Sequence, residues 1–227
     1  MVLIPARNEG HSIAALVLES RRLTRKPVVV INDCSTDDTA VQARAAGAIV
    51  LDLPVRLGAW GATQTGLRYA VRQQWPLAVT LDADGQHEAS RIDALTTHIH
   101  HGQADVVIGA CPDRASVLRR LAWHYLRWLA GINLIDITSG FRAYGRAAIE
   151  RLAQPDATLL DYQDIGVLMI LNRQGLRIHE VPVPMKPRLH GHSRVFDSWW
   201  TVAGYMIKTS VLCLARVGQR VQTGGRA

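Results

Sequence analysis

An α/β fold with a mainly parallel sheet flanked by helices is what the sequence predicts, and three observations predict it. Short β-branched or apolar runs alternate with amphipathic stretches, the pattern of βαβ units. Polar and acidic residues follow directly on several of those runs, where open α/β sheets carry their ligands. The chain has 227 residues, 48% hydrophobic and 20% charged, enough for one substantial core without staples.

Val2 to Ile4 reads as the first strand, and a helix follows from about Ser12 to Leu23. Val28 to Ile31 is a second strand, after which Ser35 or Thr36 is placed to cap a helix through Ala46. Ala48 to Leu51 gives a third strand. A glycine-containing loop then leads to helical Thr65 to Arg72, and Leu77 to Leu81 runs as a strand straight into Asp82-Ala83-Asp84. Val106 to Gly109 is a further strand, and Val117 to Leu129 a helix rich in Trp, Tyr and Arg. The segment from Asp136 to Arg146, with Gly140 and Gly145, reads as a loop, and Leu168 to Asn172 as part of a helix. Arg177 to Val183 alternates and reaches Pro182, which suits an edge strand.

Val195 to Val217 is apolar, with Trp199, Trp200, Tyr205 and Met206, but Lys208 interrupts it and Arg216 bounds it. It falls short of the ~18 uninterrupted apolar residues of a spanning helix. The expectation is an amphipathic apolar helix that lies on a membrane or packs on the domain. The chain thus divides into a domain over 1–194 and a C-terminal apolar and basic helix with its tail over 195–227.

The net charge of +7 predicts anionic partners: nucleic acid, an anionic membrane surface or phosphorylated small molecules. Basic residues from Lys186 to Arg194 are clustered locally rather than along a helical stripe, which favours a local anion site. The three cysteines, Cys34, Cys111 and Cys213, are odd in number and far apart, with neither zinc nor dithiol spacing. A cytoplasmic, reducing location without secretion is the expectation.

Function is expected at three strand ends: Pro5 to Glu9, Asn32-Asp33, and Asp82 to His87. Asp82 and Asp84 are two residues apart before Gly85, where the backbone must turn, and such oxygen ligands suit Mg2+ or Mn2+ bridged to a diphosphate. Read singly, Asn8-Glu9 and Ser35 to Asp38 also serve as helix caps, and Gly58, Gly61 and Gly66 as turn residues. No Gly-Lys-Ser or Gly-Lys-Thr follows those glycines, so they form no P-loop.

Leu81-Asp82-Ala83-Asp84-Gly85-Gln86-His87 resembles the metal-binding signature of family 2 glycosyltransferases, especially the polyprenyl- and dolichyl-phosphate sugar synthases. Pro5-Ala6-Arg7-Asn8-Glu9 and Asn32 to Thr39 are similar to the family's two nucleotide-contacting loops, and Gly58 to Gly66 to its glycine-containing loop. Asp136 to Tyr144 resembles its acceptor-side segment, and Lys186 to Arg194 its basic loop. The resemblance implies the GT-A fold, a Rossmann-like sheet, and a metal-dependent inverting transfer of a hexose from a UDP- or GDP-sugar to a polyprenyl phosphate. It implies that Asp82, Asp84 and Gln86 hold the metal against the donor diphosphate. Asp33 would accept a hydrogen bond from the base and Glu9 would lie near the ribose. Pro5, Arg7, Ile31 and Ala83 would line the nucleotide pocket. Arg142, Arg188 and Arg194 would clamp phosphate. Asp164, preferred to Asp161, would orient the acceptor or take its proton, although a phosphate acceptor is already anionic.

The sequence departs from relatives in four places. Arg56 stands where Asn is common, and Trp60 where a small residue is common; both are expected to alter how the donor's sugar is seated. Cys111 replaces a phosphate-contacting Arg, a role that Arg114 is placed to take, and Gly166 replaces an acid found in some relatives. Two alternatives stay open: a hydroxyl of a glycan or glycolipid as acceptor, and a non-catalytic nucleotide or nucleic-acid binding module. Carboxylates at three strand ends argue against nucleic acid, because they repel its backbone. Peripheral contact with the cytoplasmic face of the membrane is expected.

Overall fold

The computed structural model describes residues 1–111, 125, 134–159, 165–185 and 210. Its strands are β1 (Val2–Ala6), β2 (Val28–Asn32), β3 (Ile49–Asp52), β4 (Leu77–Thr80), β5 (Val106–Ala110), β6 (Arg142–Gly145) and β7 (Ile178–Pro182). They form one sheet in the order β3-β2-β1-β4-β6-β5-β7, in which β6 runs antiparallel to β4 and β5 while the other pairings are parallel. The described helices are α1 (Ile13–Thr24), α2 (Thr39–Ala45), α3 (Gly58–Arg72), α4 (Ile92–His100), α5 (Arg146–Leu152) and α6 (Ile165–Arg173).

Side chains alternate across the sheet, and helices cover both faces. Val2, Ile4 and Ala6 of β1 with Val28 and Val30 of β2 meet Ile13, Leu16 and Val17 of α1, Ala43 of α2 and Leu95 of α4. Leu3, Val29 and Ile31 point the other way, onto Trp60 and Leu67 of α3, Ile149 of α5 and Val167 of α6. Central strands buried on both faces explain the near-continuous Val and Ile runs. Full burial of each such side chain contributes about 1.5–3 kcal/mol. Each face is complementary to its own set of helices, so the register is strongly specified.

Strand order reverses at β1. The chain winds outward through β2 to β3, then crosses to β4 on the other side of β1. The crevice outside the carboxyl ends of β1 and β4 is therefore the topological switch point. Thr80, ending β4, pairs with Arg142, opening β6, so the segment before β6 arrives at the same end of the sheet.

The structure corrects three local expectations. The stretch read as a loop through Arg146 contains β6, and Arg146 already begins α5. Its four residues, Arg-Ala-Tyr-Gly, are all buried between β4 and β5, and the neighbouring strands rather than local propensity impose the extended form. Next, the glycine loop is the start of α3, which begins at Gly58 rather than near Thr65. Gly66 is there for close packing: a Cβ would lie 2.9 Å from Ile31 Cδ1 and 3.2 Å from Leu3 Cδ1. Finally, α2 begins at Thr39, because the Ser35 hydroxyl is engaged by the backbone N–H of Asn8.

β7 lies at the sheet edge, where a terminal proline costs no ladder bond. Among the described residues no helix is long and apolar enough to cross a membrane. The helix expected over Val117 to Leu129 and the apolar segment from Val195 lie outside the described residues except for Tyr125 and Ser210, whose hydroxyls meet at 3.3 Å.

Candidate active site

Loops leaving β1, β2 and β4 are laced into one rim. Asn8 donates its backbone N–H to Ser35 Oγ at 3.0 Å, and its side-chain Oδ1 accepts from Thr36 N–H at 2.8 Å. Glu9 N–H reaches Thr39 Oγ1 at 2.8 Å, and Gly10 N–H reaches Asp37 Oδ2 at 3.0 Å. A Cβ at Gly10 would lie 2.0 Å from Oδ1 of the exposed Asp38, which would have to move aside. Ser12 Oγ then donates to Ala83 O at 2.8 Å, joining the start of α1 to the Asp-Ala-Asp turn. These side chains satisfy backbone donors that a loop would otherwise leave unpaired. Burial pushes the Asp37 carboxyl up, but hydrogen bonds from Thr39 and Gly10 outweigh it and hold the group below its ordinary range.

Asp33 is almost fully buried and does something the sequence did not announce. Its Oδ1 accepts Leu57 N–H at 2.6 Å and its Oδ2 accepts Gly58 N–H at 3.0 Å, so the carboxylate sits on the N-terminus of α3. A helix N-terminus presents unpaired N–H groups and partial positive charge, which explains an anion there.

Asp82 and Asp84 follow β4. The Asp82 side chain is 35% exposed, and Asp84 Oδ1 accepts Gln86 N–H at 3.1 Å across the turn at Gly85, whose φ is +75°. Below them His87 is buried, its Nδ1 accepting Asp82 N–H at 3.2 Å and its ring stacked on Phe141 with centroids 5.2 Å apart. With Nδ1 accepting, the 3.7 Å approach of Asp82 Oδ2 is not an ion pair. Among the described residues no three His, Cys, Asp or Glu side chains gather closely enough to hold an ion by themselves. Two hard carboxylates at an open turn nevertheless fit Mg2+ or Mn2+, which rarely take all-protein cages and complete their shell with water and phosphate oxygens.

Other residues fall into place or out of it. Pro5 and Arg7 are half-buried at the end of β1, Glu9 is on the rim, and Ala83 is buried in the Asp-Ala-Asp turn. The Ile31 side chain is fully buried in the core beneath α3, which leaves its backbone as the part that could line a nucleotide pocket. Arg142, expected to clamp phosphate, is buried. It is 1% exposed, with Nε donating to Ser139 O at 2.8 Å and a terminal nitrogen to Ile137 O at 2.9 Å, so its guanidinium holds the preceding loop. Trp60 is buried against the segment before residue 160, its Nε1 donating to Ala157 O at 2.7 Å. Arg56 is exposed. Cys111 lends only its backbone N–H, to Asp136 Oδ2 at 3.2 Å, in the contact seen here. Asp161, Asp164, Arg188, Arg194 and Arg114 lie outside the described residues.

Sequence reading overlooked Ser12, included His87 only as the end of the acidic turn, and took Gly140 and Phe141 only as part of the acceptor-side segment. For His87 the signal was its place directly after the acidic turn.

A family model described as "Glycosyl transferase family 2" matches residues 1–154. The chain belongs to glycosyltransferase family 2. Among its relatives, the undecaprenyl-phosphate mannosyltransferase of Micrococcus luteus is 31% identical over 213 residues, covering 86% of each chain. The polyprenol monophosphomannose synthase of Mycolicibacterium smegmatis is 26% identical, covering 87% of this chain and 81% of its own. Glucosyl-3-phosphoglycerate synthase from Mycobacterium tuberculosis, solved with Mn2+, UDP-glucose and phosphoglyceric acid, superposes with a TM-score of 0.73 at 21% identity, over 99% of this chain and 81% of that one. The seven-stranded sheet is accordingly the GT-A fold of this family, and the protein is a glycosyltransferase.

Proposed function

We propose that this glycosyltransferase moves a hexose, with inversion, from a UDP- or GDP-sugar to a polyprenyl phosphate, using Mg2+ or Mn2+. The observation that carries the reading is the meeting of Asp82-Ala83-Asp84 with the loops of Glu9 and Asp33 at one switch-point crevice, tied by the Ser12 to Ala83 bond. The acceptor follows the relatives from Micrococcus luteus and Mycolicibacterium smegmatis, whose names specify undecaprenyl phosphate and a polyprenol.

In this reading Asp82, Asp84 and Gln86 hold the ion beside the donor diphosphate. When bound, the ion supplies positive charge that stabilises the departing nucleotide. Pro5, Arg7, Glu9 and Ala83 shape the nucleotide pocket, and Asp33 faces the base while its oxygens also anchor α3. Each carboxylate oxygen has a second lone pair, so the two duties are compatible. A phosphate oxygen of the acceptor attacks the anomeric carbon, and the bond to the diphosphate breaks with its electrons leaving on the nucleotide. The acceptor is already deprotonated, so Asp164 orients rather than abstracts. Arg188 and Arg194 supply cations for the acceptor phosphate, and in this reading the basic, apolar segment from residue 195 makes peripheral contact with the cytoplasmic face of the membrane.

Incubation of the full chain with labelled UDP- and GDP-sugars, Mn2+ and polyprenyl phosphate tests this. Label is expected in the lipid extract as a mild-acid-labile product. Label appearing only on an added glycan would transfer the assignment to a hydroxyl acceptor.

A further inference from the structure

We propose that His87, Phe141 and Gly140 form a platform that fixes the Asp82 carboxylate for the divalent cation, so that the loop from Leu134 to Phe141 serves the metal site. The inference rests on the metal-dependent reading above and adds positioning residues to it.

Gly140 supplies the steric part. Its φ is not in the left-handed region, so the backbone does not require glycine. A Cβ there would lie 2.2 Å from Asp82 Oδ1 and 2.6 Å from Oδ2. The Asp82 carboxylate thus occupies the space a side chain at Gly140 would take, and the three atoms nearest to such a Cβ all belong to Asp82.

His87 supplies the polar part. Its ring nitrogen takes the backbone N–H of Asp82 and thereby fixes the Cα from which the carboxylate hangs. Phe141 stacks on that imidazole with an interplanar angle of 26°, which sets the plane in which Nδ1 can accept.

The platform is itself held from three strands. Glu180 of β7 accepts the backbone N–H groups of Ile135 at 2.6 Å and Asp136 at 2.7 Å. Asp136, fully buried, accepts from Thr138 at 3.1 Å and from Cys111, just past β5, at 3.2 Å. Thr80 of β4 donates its hydroxyl to Gly140 O at 2.7 Å. Arg142 closes the turn through Ser139 O and Ile137 O. A loop pinned in this way cannot yield to a displaced carboxylate, and partners that orient a metal ligand typically govern affinity by about 10–100-fold.

The test uses the full chain and UDP titrated calorimetrically at a series of Mn2+ concentrations, with thermal unfolding recorded without metal. Gly140→Ala and His87→Leu are expected to weaken apparent Mn2+ affinity about tenfold or more. His87→Asn, whose Oδ1 can accept the Asp82 N–H, is expected to restore most of it. If His87→Leu fails to fold, Gly140→Ala carries the test, since it removes no contact. Native Mn2+ affinity in both Gly140→Ala and His87→Leu overturns the proposal, and a lower melting temperature with that affinity unchanged assigns the residues to packing and overturns it too. Asp82→Asn is the control: if it leaves the Mn2+ requirement intact, the metal reading itself has failed and the platform falls with it.

Discussion

Asp33 and Gly58 meet where β2 ends and α3 begins: Asp33 Oδ2 accepts the Gly58 backbone N–H at 3.0 Å, and the other oxygen takes Leu57 N–H at 2.6 Å. A residue expected to read the nucleotide base is thus also the anchor of a helix. Asp33→Asn leaves one acceptor oxygen and turns an N–H2 toward a second N–H. Both donors are only part-buried, so the cost falls toward or below the low end of the ~1–3 kcal/mol of a buried unsatisfied group. Urea unfolding of the variant should show a lower midpoint, with UDP affinity reduced as well. An unchanged midpoint would mean that the two bonds add nothing net to stability.

Gly58 has φ +78°, and no atom lies within 4 Å of where its Cβ would stand. Gly58→Ala therefore isolates the backbone term. Left-handed geometry costs an L-residue about 1–2 kcal/mol, and that is the expected loss of unfolding free energy. A larger loss would point to a steric clash that the open space does not provide.

Trp60→Phe keeps the ring in the core but removes the donor to Ala157 O. The carbonyl is left without that bond, for an expected cost of about 1–3 kcal/mol. Donor KM should stay within about twofold, below the 1.4 kcal/mol that a tenfold change represents. A large rise in KM would place Trp60 at the sugar seat that the resemblance suggested.

The sheet was legible in the chain because Val28 to Ile31 and Val106 to Ile108 are buried on both faces and so read as unbroken apolar runs. The acidic turn was legible because Asp82 and Asp84 follow such a run directly. β6 was not, since Arg-Ala-Tyr-Gly carries no strand signal and is extended only because β4 and β5 flank it. The burial of Arg142 was not legible for a related reason: an arginine in a glycine-rich stretch resembles a phosphate clamp, and its bonds to Ile137 O and Ser139 O are set by the fold of the loop. The duty of Asp33 was hidden because its partners are backbone amides more than twenty residues away.

Acid should loosen the rim at Asp37. Its folded carboxyl titrates below the ordinary value, because the hydrogen bonds from Thr39 and Gly10 outweigh the opposing effect of burial. A depressed folded value means that the contribution is complete above the unfolded pKa of about 3.9 and is lost as pH falls through the folded value. Stability measured from pH 6 downward should decline at the acid end, and Asp37→Asn should decline less steeply there. Parallel curves for the two proteins would remove Asp37 from the acid response.

Asp84→Asn tests the chemistry most directly. The side chain lies at an open turn, and its bond to Gln86 N–H can be kept by the amide oxygen, so the fold should survive with a melting temperature close to native. What the amide cannot keep is the charge. A neutral oxygen is a far weaker ligand for a hard divalent ion, and Asp82 is then the one carboxylate left among the three proposed ligands. Metal-dependent UDP binding should fall by about 10-fold or more. Transfer should fall further, because charge develops on the departing nucleotide and removing one stabilising group at such a centre typically costs about 10²–10³ in turnover. Calorimetry with and without Mn2+, paired with turnover at saturating donor, separates the two effects. Native UDP affinity with a lowered melting point would instead make Asp84 a turn residue, and the paired carboxylates would lose their claim to the metal.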